Sequence, residues 1–381
     1  MRILIIPIFI GFILLIVAVV SVIATTEFGG ASVGEGGVYK STDGGESFER
    51  MENIVTENDD GEEEERMLDT EINQFLFGTD NEELWVIAPN EGFLRSTDGA
   101  ENWNIVFNGN ISPHTFAVNP QDEEELYVGF RADKRARVMH RRPVGTQDPL
   151  DNDEENNDYE WEEIYVDGQT GRRIAGLEVH PQNPDELFLL FSDGIMLRSF
   201  NRGRDWVLGA NIGTSINSLY MTPGNPDELI ALSGSQIYIS NDRGFSFESR
   251  YIGNVEDSGG VVRYGQQRSS GINNVTAFHI NRNNSQEIYI GTVGRMIRSP
   301  DQGQSWQDID IITPTSNIAI QGIFTYPPNT DRVYYVAGNV LYTSRDRGDS
   351  WNTQELPSEI EEVTQVLVDR ENNDIIYIAA R

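Results

Sequence analysis

The 381-residue chain offers few groups that could carry covalent chemistry. It has no cysteine, which removes thiolate zinc sites, disulfide frameworks and cysteine nucleophiles together. Its histidines are His114, His140, His180 and His279, and no Gly-x-Ser-x-Gly elbow accompanies them, so Ser–His–Asp chemistry lacks its scaffold. His180 and His279 end apolar runs at places that read as equivalent, where a structural hydrogen bond is the expected role. Asp151, Asp153, Glu155, Asn157 and Glu162 follow the odd-position spacing of a calcium loop. Asn156 stands where that loop needs glycine and Asp158 where it takes an apolar residue, so the match is weak. No cofactor is expected.

What remains is arginine. Only Lys40 and Lys134 are lysines, so almost the whole basic complement is guanidinium. Arg131, Lys134 and Arg135 form one basic stretch, Arg172 and Arg173 a second, and Arg263 and Arg268 with Tyr264 a third. They stand in a chain with 61 acidic and 28 basic residues, a net charge of −33. Guanidinium groups match carboxylates with forked hydrogen bonds, so this chemistry is capture of an acidic protein surface or an anionic glycan. The same net charge repels phosphate and excludes non-specific nucleic-acid binding. Scarce lysine beside excess carboxylate is what a protein in high salt tolerates, because counterions screen its self-repulsion. The acidic runs 57–65 and 148–163 read as solvated loops.

The elements that must position these groups come from an internal repeat. Six segments share apolar-x-apolar-x-Ser-x-Asp-x-Gly-x-[Ser/Thr]-[Trp/Phe]. They begin at Gly37, Gly92, Ile195, Gln236, Arg295 and Asn339; Gly37-Val-Tyr-Lys-Ser-Thr-Asp-Gly-Gly-Glu-Ser-Phe48 is the first. Alternating apolar residues make a strand, and Ser-x-Asp-x-Gly makes a tight turn whose carboxylate takes its own backbone N–H groups. Glycine supplies a positive φ, and the aromatic residue opens the return strand and packs between sheets. Asp43, Asp98, Asn201, Asp242, Asp301 and Asp346 are therefore turn staples rather than reacting groups; Asn201 and Ala100 depart from the pattern.

Each box follows an apolar strand, an Asn/Pro/Asp/Glu turn and a second strand, as in Ile174–Leu190, so the unit has four strands. Ser96 to Ser199 is 103 residues against 41 to 59 elsewhere, so a blade without a box is hidden there. The repeat opens with third and fourth strands and closes with first and second, Val363–Val368 and Asp374–Ala379. Joined, the ends make one blade that closes a ring and removes exposed sheet edges. The expectation is an all-β, seven-bladed β-propeller over 37–381, complete as given. The inter-blade loops 54–72, 108–113, 167–173, 209–215, 252–274, 310–317 and 356–362 would share one face, with the Asp-box turns on the other. All three basic stretches fall on that loop face.

The repeat resembles the Asp-box, or BNR, repeat of sialidases, sortilin-type receptors and photosystem II assembly factors. For sialidases the resemblance implies an arginine in a Phe/Tyr-Arg-Ile-Pro motif before the first box, and this chain has none. The inner strands carry no arginine, and their only carboxylate is Glu178. A xyloglucanase-like hydrolase pairs two propellers around a cleft and uses two carboxylates, whereas one propeller is present. Sortilin-type receptors add a cysteine-rich segment that is lacking here. The reading is a non-catalytic scaffold that binds a protein partner on the loop face. The alternative is a glycan-binding or sialidase-like glycoside-hydrolase propeller.

Ile3 to Ala24 is an apolar run of 22 residues without charge behind Arg2, long enough for one bilayer core. It reads as a transmembrane signal anchor, or as a signal peptide cut after Val22-Ile23-Ala24. Either way the acidic bulk is exported and Arg2 stays inside. Residues 25–36 read as a flexible linker.

Overall fold

The computed structural model describes residues 36–57, 63–78, 80–89, 91–107, 113–143, 159–222, 224–252, 274–312, 317–360 and 362–381. The anchor, the linker up to residue 35, Arg263, Tyr264, Arg268, Asp151, Asp153 and Glu155 lie outside them. Among the described residues there is no helix, hence none long and apolar enough to cross a membrane.

Seven antiparallel meanders form the blades of a propeller. In chain order they are blade 1 (74–107), blade 2 (113–166), blade 3 (174–211), blade 4 (218–251), blade 5 (277–309) and blade 6 (320–355). Blade 7 takes Val363–Val368 and Ile376–Ala380 from the end of the sequence and Gly37–Ser41 and Glu49–Arg50 from the beginning. Gly37 pairs with Ala380 and Ser41 with Ile376, as the joined-ends reading expects. The boxless blade is also as expected, built from Pro113–Asn119, Asp122–Ala132, Arg135–Pro143 and Tyr159–Val166.

Second strands such as Leu84–Ala88, Leu187–Phe191, Ile288–Thr292 and Val333–Ala337 are buried throughout. Each is covered by a neighbouring blade on both faces, which is why these runs read as continuous rather than alternating apolar sequence. The box aromatics carry the contact between blades. The Trp306 indole is buried against blade 4 and donates to Tyr251 O at 3.0 Å, and Trp351 donates to Asp310 O at 2.9 Å.

The box turns are built as the sequence predicts. Ser47 N and Ser47 Oγ donate to the two Asp43 carboxylate oxygens at 2.9 and 2.6 Å, while Gly45 N donates to Ser41 Oγ at 2.8 Å. Asn201 reproduces the staple, accepting Asp205 N at 2.9 Å and donating its amide to Asp205 Oδ2 at 2.8 Å. Two consecutive residues have positive φ in each box, not the glycine alone: Arg243 and Gly244 at 57° and 80°, Gln302 and Gly303 at 55° and 82°. Ala100 holds that conformation at 74° without being glycine.

Three sequence expectations are corrected. Residues 54–72 are not only an inter-blade loop: Asn53–Glu57 and Glu63–Met67 form a hairpin. Its first strand runs parallel to Trp103–Phe107, making blade 1 six-stranded. The acidic runs are correspondingly part strand, 63–65 in this hairpin and 159–163 in the outer strand of blade 2, where cross-strand arginines neutralise them. His180 and His279 are not equivalent. Register places His279 opposite Tyr289 just as Glu178 lies opposite Phe188, whereas His180 lies one residue beyond its inner strand, in the turn.

Candidate functional site

The loop face of blade 2 is shaped by a two-residue hairpin. Asp133 and Lys134 both take positive φ, 50° and 65°, so the turn is tight and sets Arg131 and Arg135 on either side of it. The following inter-blade loop folds back onto this turn, with Gly171 N donating to Lys134 O and Asp167 N to Ala136 O, both at 2.8 Å. Two basic stretches far apart in sequence thereby meet. His114 opens the inner strand beside them. Desolvation lowers its pKa, with Arg173 and then Arg131 adding to the shift, so both positive charges are felt at the same imidazole. His114 also lines the axial cavity, which places the cluster at the cavity's mouth.

The members differ in what they already touch. Arg172 is committed: it donates to Asp193 at 2.8 Å, lies 3.6 Å from Asp167 and stacks 5.2 Å from the Phe191 ring centre. Arg131, Lys134, Arg135 and Arg173 are exposed and make no ion pair with any described residue. Arg137, Arg141 and Arg142 in the same blade all have carboxylate partners. Glu162 is one of them, 2.9 Å from Arg142, so its described contact is an arginine. Among the described residues no cluster of His, Asp and Glu is suited to a metal.

Sequence reasoning missed a second network. A glutamate opens the second strand in five blades: Glu83, Glu125, Glu186, Glu228 and Glu287 are all buried. Glu186 pairs with Arg198 of its own blade and, at 3.2 Å, with Arg243 from the box of the next. Glu125 pairs with His140 at 2.9 Å and with Arg202 of the next box at 3.0 Å. Gln302 plays the same part toward Glu228 at 2.7 Å. The recurring Asp/Glu/Gln-Glu-Leu/Ile was the available signal. Glu125, Glu186 and Glu228 are thus interblade clasps, while Glu83 and Glu287 pair with Arg95 and Arg298 of their own blades, each buried carboxylate meeting a donor as it must.

The inner strands surround an axial cavity of about 750 Å³ opening into a second of about 480 Å³. Apolar walls come from Leu76, Phe77, Phe116, Tyr220, Phe278 and Phe324. Because an innermost strand has one unpaired edge, its N–H groups need partners from neighbouring blades. Thr325 N donates to His279 Nε2 at 3.1 Å, and Thr325 Oγ1 lies 2.8 Å from the same nitrogen. Desolvation drives the His279 pKa down to about 3, so the ring is neutral. Glu178 fills the equivalent place, accepting the Met221 N–H, but burial pushes its carboxyl up to about 8. Glu178 is the one carboxyl lining the described cavity.

A Sortilin-Vps10 family model (sortilin, neurotensin receptor 3) matches residues 294–381, the last quarter of the chain. An oligoxyloglucan-reducing end-specific xyloglucanase of Emericella nidulans is 27% identical over 222 residues, 51% of this chain. The chain matches only about a quarter of that enzyme's length. Among solved structures, YCF48 bound to D1 peptide is similar with a TM-score of 0.57 and 14% identity, covering 82% of this chain and 94% of that one. YCF48 from Cyanidioschyzon merolae gives 0.56 and 11% identity over 82% of this chain and 96% of that one. The GH74 xyloglucanase from Xanthomonas campestris gives 0.57 and 16% identity, over 82% of this chain and 51% of the enzyme. The six boxes, the joined-ends blade and these likenesses agree on the fold: a seven-bladed β-propeller with Asp-box turns, similar to the propellers of YCF48 and of GH74 xyloglucanase.

Proposed function

We propose that this propeller is a non-catalytic scaffold that holds an acidic segment of a protein partner against its loop face, tethered on the extracytoplasmic side of a membrane by residues 1–24. One observation carries the reading. Arg131, Lys134, Arg135 and Arg173 are gathered by backbone hydrogen bonds at one rim of the channel, without carboxylate partners among the described residues. In a chain of net charge −33, four cations left unneutralised together are set for an outside anion. The likeness to YCF48, solved with a bound peptide, supports a protein as that anion's bearer. In this reading Arg263, Tyr264 and Arg268 extend the surface.

The test is affinity purification of the full-length tagged chain from its own membranes, beside an Arg131/Lys134/Arg135/Arg173→Glu variant. A stoichiometric protein that is lost from the variant, and whose retention weakens with salt, is the expected result. A partner retained by the variant would sink the loop-face assignment.

The xyloglucanase likenesses support a second reading, a propeller that binds or cleaves a glycan. Two-carboxylate hydrolysis needs a second acid within about 10 Å of the first, and the described cavity supplies Glu178 alone. Release of reducing ends from xyloglucan oligosaccharides that disappears in Glu178→Gln would move this reading ahead.

A further inference from the structure

On the opposite side of the ring, the axial channel ends among turns that join first to second strands. The box turns lie on the same side, because Gln302 N donates to Gln286 O and Arg347 N to Asp331 O in those turns. Proline stands two residues past the inner strand's Val179↔Leu187 and Thr325↔Val333 pairs, at Pro181 and Pro327. At the same offset from Ile280↔Ile288 and Val368↔Ile376 the chain places Arg282 and Arg370 instead. Both side chains line the two inner cavities and a third, of about 740 Å³, at this end.

We propose that this end of the channel is a binding site for a small organic oxyanion, a carboxylate or phosphate on an apolar body, seated between Arg282 and Arg370. Arg282 makes no hydrogen bond or ion pair with any described residue, although most arginines of this chain have carboxylate partners. Arg370 is held in place, donating to Gly78 O at 3.0 Å and lying 4.9 Å from the Phe77 ring centre. Burial, then Arg282 itself, lowers Arg370 to about 10, with Asp369, Asp80 and Glu83 opposing the shift. Arg282 is solvent-exposed at the channel end, and the channel walls around it still lower its pKa by desolvation. Desolvation, and for Arg370 also the neighbouring Arg282 charge, disfavours both guanidinium charges, a cost that an entering anion would relieve. Glu178 does not compensate them, since its carboxyl is held mostly protonated at neutral pH.

A second donor points to the same place. Thr222 is 2% exposed and lines the end cavity, yet its hydroxyl has no hydrogen-bond partner. A buried hydroxyl left unpaired costs about 1–3 kcal/mol, which an oxyanion accepting from it would offset. The aromatic walls above it, Phe77, Phe278 and Phe324, suit an apolar body, and the volumes suit a small molecule. This site lies on the box side of the ring, so it stands or falls apart from the loop-face cluster.

The experiment is calorimetric titration of the full chain with phenyl phosphate, benzoate and inorganic phosphate, with benzyl alcohol as the neutral control. Saturable binding of at least one aryl anion, tighter than inorganic phosphate and absent for the alcohol, is expected. Arg282→Gln should weaken it at least tenfold, while Arg295→Gln, whose guanidinium is already paired with Asp308, leaves it unchanged. Should the variant fold poorly, phenylglyoxal labelling of Arg282 in the unaltered protein, read by peptide mass, should be slowed by the same ligand. No saturable binding of any anion overturns the proposal, as does binding indifferent to Arg282→Gln that gives no protection from labelling.

Discussion

Blades 2 and 3 are neighbours with the same four-strand plan and opposite devices for holding it. Blade 3 has the box: five-residue middle strands, an Asn201-stapled turn, and Arg202 reaching back from that turn to Glu125 of blade 2. Blade 2 has no box and so has nothing to reach back with. It lengthens instead, with middle strands of 11 and 9 residues, and crosses them with ion pairs such as Arg137–Glu163 and Arg142–Glu160. The clasp at its other border is reversed. Arg95 of blade 1 reaches forward to Glu123 and Glu124 of blade 2 while keeping Glu83 of its own blade. The lesson is that the box is one of two solutions to joining blades. Where it is given up, the hairpin at the other end of the long strands carries cations that make no ion pair with a described residue.

The comparison breaks most visibly at the buried glutamates. Glu186→Ala strands Arg198, which is 1% exposed, and should cost about 3–5 kcal/mol. Glu125→Ala leaves His140 still stacked on Tyr127, and the half-open Arg202, so about half that loss is expected. Urea unfolding of the two variants measures the difference, and equal losses would mean that the blades are not held differently.

Next come the positive-φ positions. A Cβ on Gly303 would lie 2.4 Å from Ile237 Cδ1 at φ 82°, so Gly303→Ala should cost about 2 kcal/mol or more. Ala100 already bears a Cβ at φ 74°, and Ala100→Gly should leave stability unchanged or raise it by up to about 1 kcal/mol. Melting temperatures of the pair decide whether box glycines act through conformation and space together.

A pH profile separates Glu178 from the clasps. Its folded pKa of about 8 lies above the ordinary 4.5, so the native state holds more protons than the unfolded state between those values. Its contribution is complete below about 4.5 and is lost as pH rises through about 8. Glu178→Gln should therefore flatten the fall in stability from pH 6 to 9, followed by denaturant midpoints. His279 works in the other direction, its contribution being lost as pH falls from 6.5 toward about 3. A Glu178→Gln profile parallel to the parent's would place the carboxyl in water.

Much of the fold was legible because a box is a local object. Ser41, Asp43 and Ser47 bond to one another within six residues, so their spacing alone encodes the turn. The hidden blade and the closing blade followed from strand phase, and the loop-face stretches 131–135 and 172–173 from their connections. The hairpin 53–67 escaped because its partner strand, Trp103–Phe107, lies in another blade and an acidic run carries no mark of parallel pairing. The mistaken equivalence of His180 and His279 has the same origin: it turned on a one-residue register that only pairing fixes.

Sequence by itself therefore determined the repeat, its turns, the blade count and the absence of cysteine chemistry, since these rest on contacts within a few residues or on composition. Tertiary structure alone decided which arginines are spent. Arg172 and Arg173 are adjacent in the chain, yet one is held by Asp193 and the other makes no ion pair with a described residue. Arg282 and Arg370, 88 residues apart, share one channel end. Charge pairing depends on distance in space and on the water excluded around it, and closure of the ring sets both.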